Sequence, residues 1–242
     1  RGRTRPRKPR SAAWGCPPDR IHFLPNGVDR ERFAPPRPEE VEALGKKLGL
    51  QGRQVVAYLG TLSLANHPVN LLLEAFALLL KRLPEAILLL VGGGDDFERL
   101  KEMAQQLGVE RGVVFSGRVA AGEVPRYYAL ADVTVDPVYD DDAAKGRLPL
   151  KMFESWAMGV PFVTSPVGER LRLAGDPPAI LLAQPAGDVQ ALALSIQSVL
   201  TSVDLADSLR NRGLERVKDF SWDLLARELE SVYLAALRKS NG

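Results

Sequence analysis

The chain has 242 residues, 45% apolar and 26% charged, with a formal net charge of +2. It is long enough to bury one large core or two small ones, and no apolar run nears the roughly 20 residues of a membrane-spanning helix, because Glu74 and Lys81 interrupt the leucine-rich stretch from Leu71 to Leu80. The single cysteine, Cys16, excludes an intrachain disulfide and a cysteine-based zinc site, and fits a reducing compartment.

The positive balance comes from the first ten residues, where Arg1, Arg3, Arg5, Arg7, Lys8 and Arg10 stand without an acid; the rest of the chain is mildly acidic. Residues 1–24 therefore read as a basic arginine- and proline-rich segment too short for a domain, a disordered arm or the remnant of a missing acceptor domain, with contact to anionic lipid or nucleic acid as its functional alternative; the body of the chain offers no basic binding face and no nucleic-acid partner is expected. From Gln54 onward short β-type runs alternate with helical patterns. Strands are expected at Val55 to Leu59, Ile87 to Val91, Val113 to Phe115, Val133 to Val135, Phe162 to Thr164 and Ile180 to Leu182. Helices are expected at Pro68 to Arg82 and at Asp95 to Leu107, the latter with Asp95 and Glu98 spaced as a capping box. This order predicts a Rossmann-like three-layer α/β/α domain over residues 25–242, with a parallel sheet of about six strands. The last third predicts helices at Asp188 to Leu200, Asp204 to Lys218 and Trp222 to Arg238. The final one starts at Ser221 with a Phe220/Leu225 staple and carries an apolar stripe of Trp222, Leu225, Leu229, Val232, Tyr233 and Ala236.

The segment from Arg147 to Pro166, RLPLKMFESWAMGVPFVTSP, carries the most information. Pro149 suits a first helical turn, Met152, Phe153, Trp156 and Ala157 form a buried stripe, and Gly159 stops the helix before a strand. Lys151 places a cation at the positive end of the helix dipole, which an anion bound there would explain, and Glu154 lies one turn on along nearly the same face.

This segment resembles the donor-binding helix of retaining glycosyltransferases of family 4, which have the GT-B fold. The resemblance extends through Pro25-Asn26-Gly27-Val28-Asp29 with Phe33, the turn Tyr58 to Ser63, Val91 to Gly94, Val114 to Val119 and Tyr127 to Val133, covering roughly Pro25 to Leu237. It implies the C-terminal, donor-binding half of a metal-independent enzyme that needs no cofactor beyond a nucleoside-diphosphate sugar. The acceptor would be a sugar, lipid or other hydroxyl compound, recognised by an N-terminal acceptor domain or partner subunit that precedes such a motif in the family. The implied location is cytoplasmic, with peripheral contact at the inner face of the membrane.

The binding set expected is Gly60, Thr61 and Asn66 after the first strand, Gly117, Arg118 and Val119 near the nucleobase, and Leu148, Pro149, Leu150, Lys151 and Glu154 for diphosphate and ribose. Asn66 serves equally as a cap for the helix opening at Pro68, and no catalytic side chain is assigned. His67 reads as an exposed loop residue. The chain departs from the family at three positions: Gly146 stands where many members carry a first glutamate, leaving Asp141 or Asp142 as substitutes, and Thr61 and Asn66 stand where an arginine and a lysine often hold the diphosphate. Lys151 would then take over that charge. Gly92, Gly93 and Gly94 do not fit a dinucleotide fingerprint and read as a tight turn. Asp136 with Asp140, Asp141 and Asp142 could hold Mg²⁺, but a solvated loop or sugar contact suits them better. The departures leave open a noncatalytic nucleotide-sugar-binding or assembly module, and the resemblance in overall fold leaves open a sugar-nucleotide epimerase.

Overall fold

The computed structural model describes residues 15–17 and 20–240, and the side chains through 238. Much of the basic segment expected over 1–24 thus lies outside the described residues. Six parallel strands form one sheet in the order β3-β2-β1-β4-β5-β6: β1 Val55–Leu59, β2 Ile87–Val91, β3 Val113–Gly117, β4 Val133–Asp136, β5 Phe162–Thr164 and β6 Leu181–Leu182. β1 and β2 are buried residue by residue, which is why they read as unbroken apolar runs. Alternate residues feed opposite layers.

Val56, Tyr58, Leu88, Leu90, Val133 and Val135 pack under α2 (Val69–Leu80), α3 (Phe97–Gln106), α8 (Val189–Thr201) and α9 (Val203–Arg216). Val55, Ala57, Leu59, Leu89 and Phe162 pack under the other layer, which holds α1 (Pro38–Leu48), α4 (Val124–Ala129), α6 (Leu150–Ala157) and α7 (Arg170–Ala174). The short α5 (Asp142–Gly146) follows β4, and α10 (Trp222–Ser240) closes the described chain. The three-layer expectation holds. Because β1 sends the chain to β2 on one side while β4 lies on its other side, the crevice beyond the carboxyl ends of β1 and β4 is a topological switch point, where open α/β sheets place ligands.

Two local expectations are corrected. The Asp95/Glu98 box is not made: Asp96 occupies the cap position of α3, and its Oδ2 accepts from Leu64 N at 2.7 Å, tying the loop after β1 to this helix. Asn66 does not cap α2, whose cap residue is Pro68. The stripe on α10 is buried only at its start: Leu225 is 3% exposed, but Trp222, Leu229 and Tyr233 are 48%, 37% and 63% exposed. One turn of docking, with Val28 N donating to Phe220 O at 2.8 Å and Leu225 packed at Gly27, is what this helix gains from the sheet layers.

Candidate functional site

The helix α6 is fastened to the sheet from below. Met152, Phe153 and Trp156 are buried, Ser155 pairs with Thr134 of β4 and donates to Val160 O at 2.9 Å, and Trp156 Nε1 donates to Ala179 O at 2.9 Å. Gly159, at φ +64°, then takes the left-handed turn that ends it. With that face committed, Lys151 and Glu154 are turned toward the crevice. Pro149 sits one position earlier than a first-turn residue, as the cap in extended conformation, and leaves the helix start without a side-chain cap.

Lys151 has a partner that sequence patterning did not supply. Its Nζ lies 3.1 Å from Asp136 Oδ1, and the other carboxylate oxygen takes the buried Arg170 through Nη2 at 2.9 Å and Nε at 3.3 Å. Burial alone would push the Asp136 carboxyl up, but the two cations beside it hold it below the usual carboxylate range; the same carboxylate outweighs burial at Lys151 and raises its pKa. Lys151 also lies over the Tyr58 ring, 4.1 Å from its centroid. Lys151 is therefore accounted for without a bound anion, which corrects the argument from the helix dipole. Two cations on one carboxylate nevertheless leave a net positive charge under the crevice. Arg170 also donates to Ala144 O and Val167 O, so this one side chain ties α5 and the segment after β5 to the end of β4.

Two joined cavities occupy the crevice. One, of about 360 Å³, is lined by Asn26, Gly60, Thr61, His67, Asp136, Arg147, Leu148, Pro149, Leu150, Lys151, Glu154 and Arg170. The other, of about 470 Å³, is lined by Arg32, Leu59, Gly60, Thr61, Val91, Gly92, Gly93, Arg118, Val119, Val124 and Glu154. Leu59, Gly60, Thr61 and Glu154 belong to both. The expected set is thus brought together except for Asn66 and Gly117, which line neither; Asn66 offers its backbone carbonyl to Arg147, and the Gly117 carbonyl accepts from Gly92 N. Asn26 Nδ2 donates to Leu148 O at 2.8 Å, so the Pro25 to Asp29 motif braces the loop ahead of α6.

Glu154, at the junction, accepts from Tyr128 Oη at 2.8 Å. Burial raises the Glu154 carboxyl and the Tyr128 bond partly offsets it; burial with the adjacent carboxylate pushes the Tyr128 hydroxyl well up. Phe33 packs edge-on against Tyr128 with centroids 5.9 Å apart. In the second cavity the glycines set the wall. A Cβ on Gly92, at φ +138°, would overlap the Gly60 carbonyl oxygen, one on Gly94 would overlap that of Leu62, and one on Gly93 would lie 2.8 Å from Arg118 Cγ. These residues let two loops touch through their backbones, which is more than the tight turn expected of them.

His67 is half-buried against Arg147, 3.0 Å from Nδ1 to Nη1, and not a free loop residue. Burial, with Lys151 and Arg147 adding to it, lowers its pKa to about 4, so the ring is neutral at pH 7. The acidic run disperses: Asp140 pairs with Lys145 at 2.9 Å, and Asp141 caps α5 by accepting from Ala144 N at 2.7 Å. Among the described residues no three metal-ligating side chains gather. Arg147, Arg170 and Tyr128 were given no site role by the sequence, and Asp136 was named only as a candidate metal ligand, although its place at the end of a strand beside the switch point marked it as a crevice residue.

The family model for glycosyl transferases group 1 matches residues 40–216. Over 173 residues the chain is 35% identical to a GDP-mannose-dependent alpha-(1-6)-phosphatidylinositol monomannoside mannosyltransferase of Mycolicibacterium smegmatis, covering 71% of this chain and 43% of that protein. The crystal structure of Anabaena HepE in complex with UDP superposes with a TM-score of 0.76 at 20% identity, over 88% of this chain and 57% of that one. The C-terminal domain of a glycosyl transferase group 1 family protein (LpcC) from Francisella tularensis superposes with a TM-score of 0.66 at 20% identity, over 79% of this chain and 97% of that one. The chain spans about half the length of the curated relatives it matches. Among the described residues no single helix is long and apolar enough to cross a membrane.

Proposed function

The chain belongs to the glycosyl transferases group 1 family, and from that premise we propose that it is the donor-binding half of a retaining, metal-independent GT-B glycosyltransferase of family 4 type. It binds a nucleoside-diphosphate sugar for transfer to a hydroxyl of a sugar or lipid acceptor. The observation that carries this reading is the position of Glu154, at the junction between an electropositive cavity and one walled by backbone. A carboxylate there accepts two hydrogen bonds from a ribose diol. The nucleobase then lies over Gly92, Gly93, Arg118 and Val119, and the diphosphate crosses Gly60 and Thr61 to the start of α6, where free backbone N–H groups and Lys151 meet it. Charge grows on the departing diphosphate as the anomeric C–O bond breaks, and these fixed positive groups stabilise it. The mannosyltransferase relative with GDP-mannose and the HepE complex with UDP support a nucleotide-sugar donor. Acceptor recognition falls to a further domain or partner, and peripheral membrane contact follows if the acceptor is a lipid.

Calorimetric titration with UDP, GDP, ADP and UMP tests this. One diphosphate should bind saturably. Glu154→Ala should weaken diphosphate and monophosphate alike, whereas Lys151→Ala should weaken the diphosphate more. Binding of none of the four would overturn the reading. A noncatalytic binding module is favoured by Gly146, which lacks the first glutamate; nothing lies within 4 Å of a Cβ built there, so Gly146→Glu fits. Transfer to acceptor by the chain joined to an acceptor domain excludes that module, and donor binding without transfer in every pairing, Gly146→Glu included, supports it.

A further inference from the structure

Thr61 and Asn66 bring no charge to the crevice, yet the cavity beside them holds a cation whose hydrogen bonding is incomplete. Arg147 Nε is the one buried side-chain polar atom without a hydrogen-bond partner among the described residues. Leaving a buried donor of a charged group unsatisfied is costly, and a ligand oxygen toward which the guanidinium turns would complete it. Lys151 and Arg170 are paired with Asp136. Arg147 instead has neutral partners, its Nη1 donating to the Asn66 carbonyl and facing His67 Nδ1. A neutral His67 can accept from Arg147 through Nδ1, which places the ring proton on Nε2 as a second donor. Arg147 and His67 line only the cavity that lies beyond Glu154 from the Gly92 and Arg118 wall.

We propose that Arg147, presented by His67 and the Asn66 carbonyl, binds the distal phosphate of the nucleoside diphosphate, the one bonded to the sugar. This rests on the donor-site reading above. If Glu154 takes the ribose and the base lies toward Arg118, the chain of groups runs base, ribose, proximal phosphate, distal phosphate, and ends at the cavity wall that Arg147 supplies. The positive charge missing from the loop after β1 is thereby delivered from the loop before α6.

The test is titration of the chain and of Arg147→Gln with UDP, UMP, GDP and GMP. Loss of a charge-assisted hydrogen bond should weaken the bound diphosphate about tenfold to a hundredfold and leave its monophosphate within about twofold. Arg147→Lys keeps the charge without the Nε edge and should lose an intermediate factor, which guards against a folding defect in Arg147→Gln; circular dichroism and thermal unfolding report that defect directly. Wild-type chain that binds neither UDP nor GDP removes the donor-site reading itself. Wild-type binding with an unchanged Arg147→Gln, or an equal fall for diphosphate and monophosphate, overturns this proposal alone and leaves Arg147 as a clamp on the Asn66 loop.

Discussion

Toward α6 the crevice wall is made of interlocked charged side chains, whereas toward β2 and β3 it is made of glycines. In the first half Asp136, Lys151 and Arg170 satisfy one another in a space where Asp136 is 2% and Arg170 0% exposed, and the excess positive charge stays under the crevice. In the second half Arg32, Arg118 and the shared Glu154 bring charge to the cavity, but the shape comes from Gly92 and Gly94 letting the loop after β2 lie against Gly60 and Leu62. One wall supplies electrostatics through side chains held by non-local pairing; the other supplies contact by removing side chains. The two should fail differently when mutated.

The largest effect is expected for Arg170→Ala, which leaves Asp136 with half its partners and strips the bonds to Ala144 and Val167. Breaking a buried pair in this way costs about 3–5 kcal/mol, readable by urea unfolding, and a loss below about 1 kcal/mol would show that the charged wall is not structural. Gly92→Ala should follow at about 2–4 kcal/mol, since it combines a positive φ with overlap on the Gly60 carbonyl. If Gly92→Ala proved neutral, the close approach of the two loops would not be what requires glycine. Tyr128→Phe removes one hydrogen bond to Glu154, about 0.5–1.5 kcal/mol, and should weaken nucleotide binding a few-fold in titration while letting the Glu154 carboxyl rise further.

The last effect concerns pH. His67 has a folded pKa of about 4 against 6.5 for an ordinary histidine, so between these values the unfolded chain binds the proton and the folded chain does not. Stability should therefore fall as pH drops from 6.5 toward 4. The melting temperature of His67→Gln should fall less over that interval than that of the unsubstituted chain; parallel curves would place His67 in a solvated setting.

Legibility followed the range of the interaction. The strands were readable because both faces of β1 and β2 are buried, which writes a continuous apolar run into five consecutive residues. α6 was readable because its stripe, its stop at Gly159 and the strand after it lie within twenty residues of sequence. The apolar stripe of α10 was equally readable as a helix, but its partner was not: periodicity states that a face is apolar and says nothing of what covers it, and here most of the stripe is exposed.

By itself, then, the sequence determined the α/β class, the strand runs, the pair Lys151 and Glu154 on one face of its helix and the family resemblance, since each depends on residues close together in the chain or on their order. Only the tertiary structure decided that Asp136 faces Arg170 across 34 positions of sequence, that His67 shelters against Arg147, and that Gly92 must yield to the carbonyl of Gly60. These contacts exist because β4 inserts beside β1 and carries the ends of distant segments to one edge of the sheet. Strand order is a property of the packed whole, and no local pattern encodes it.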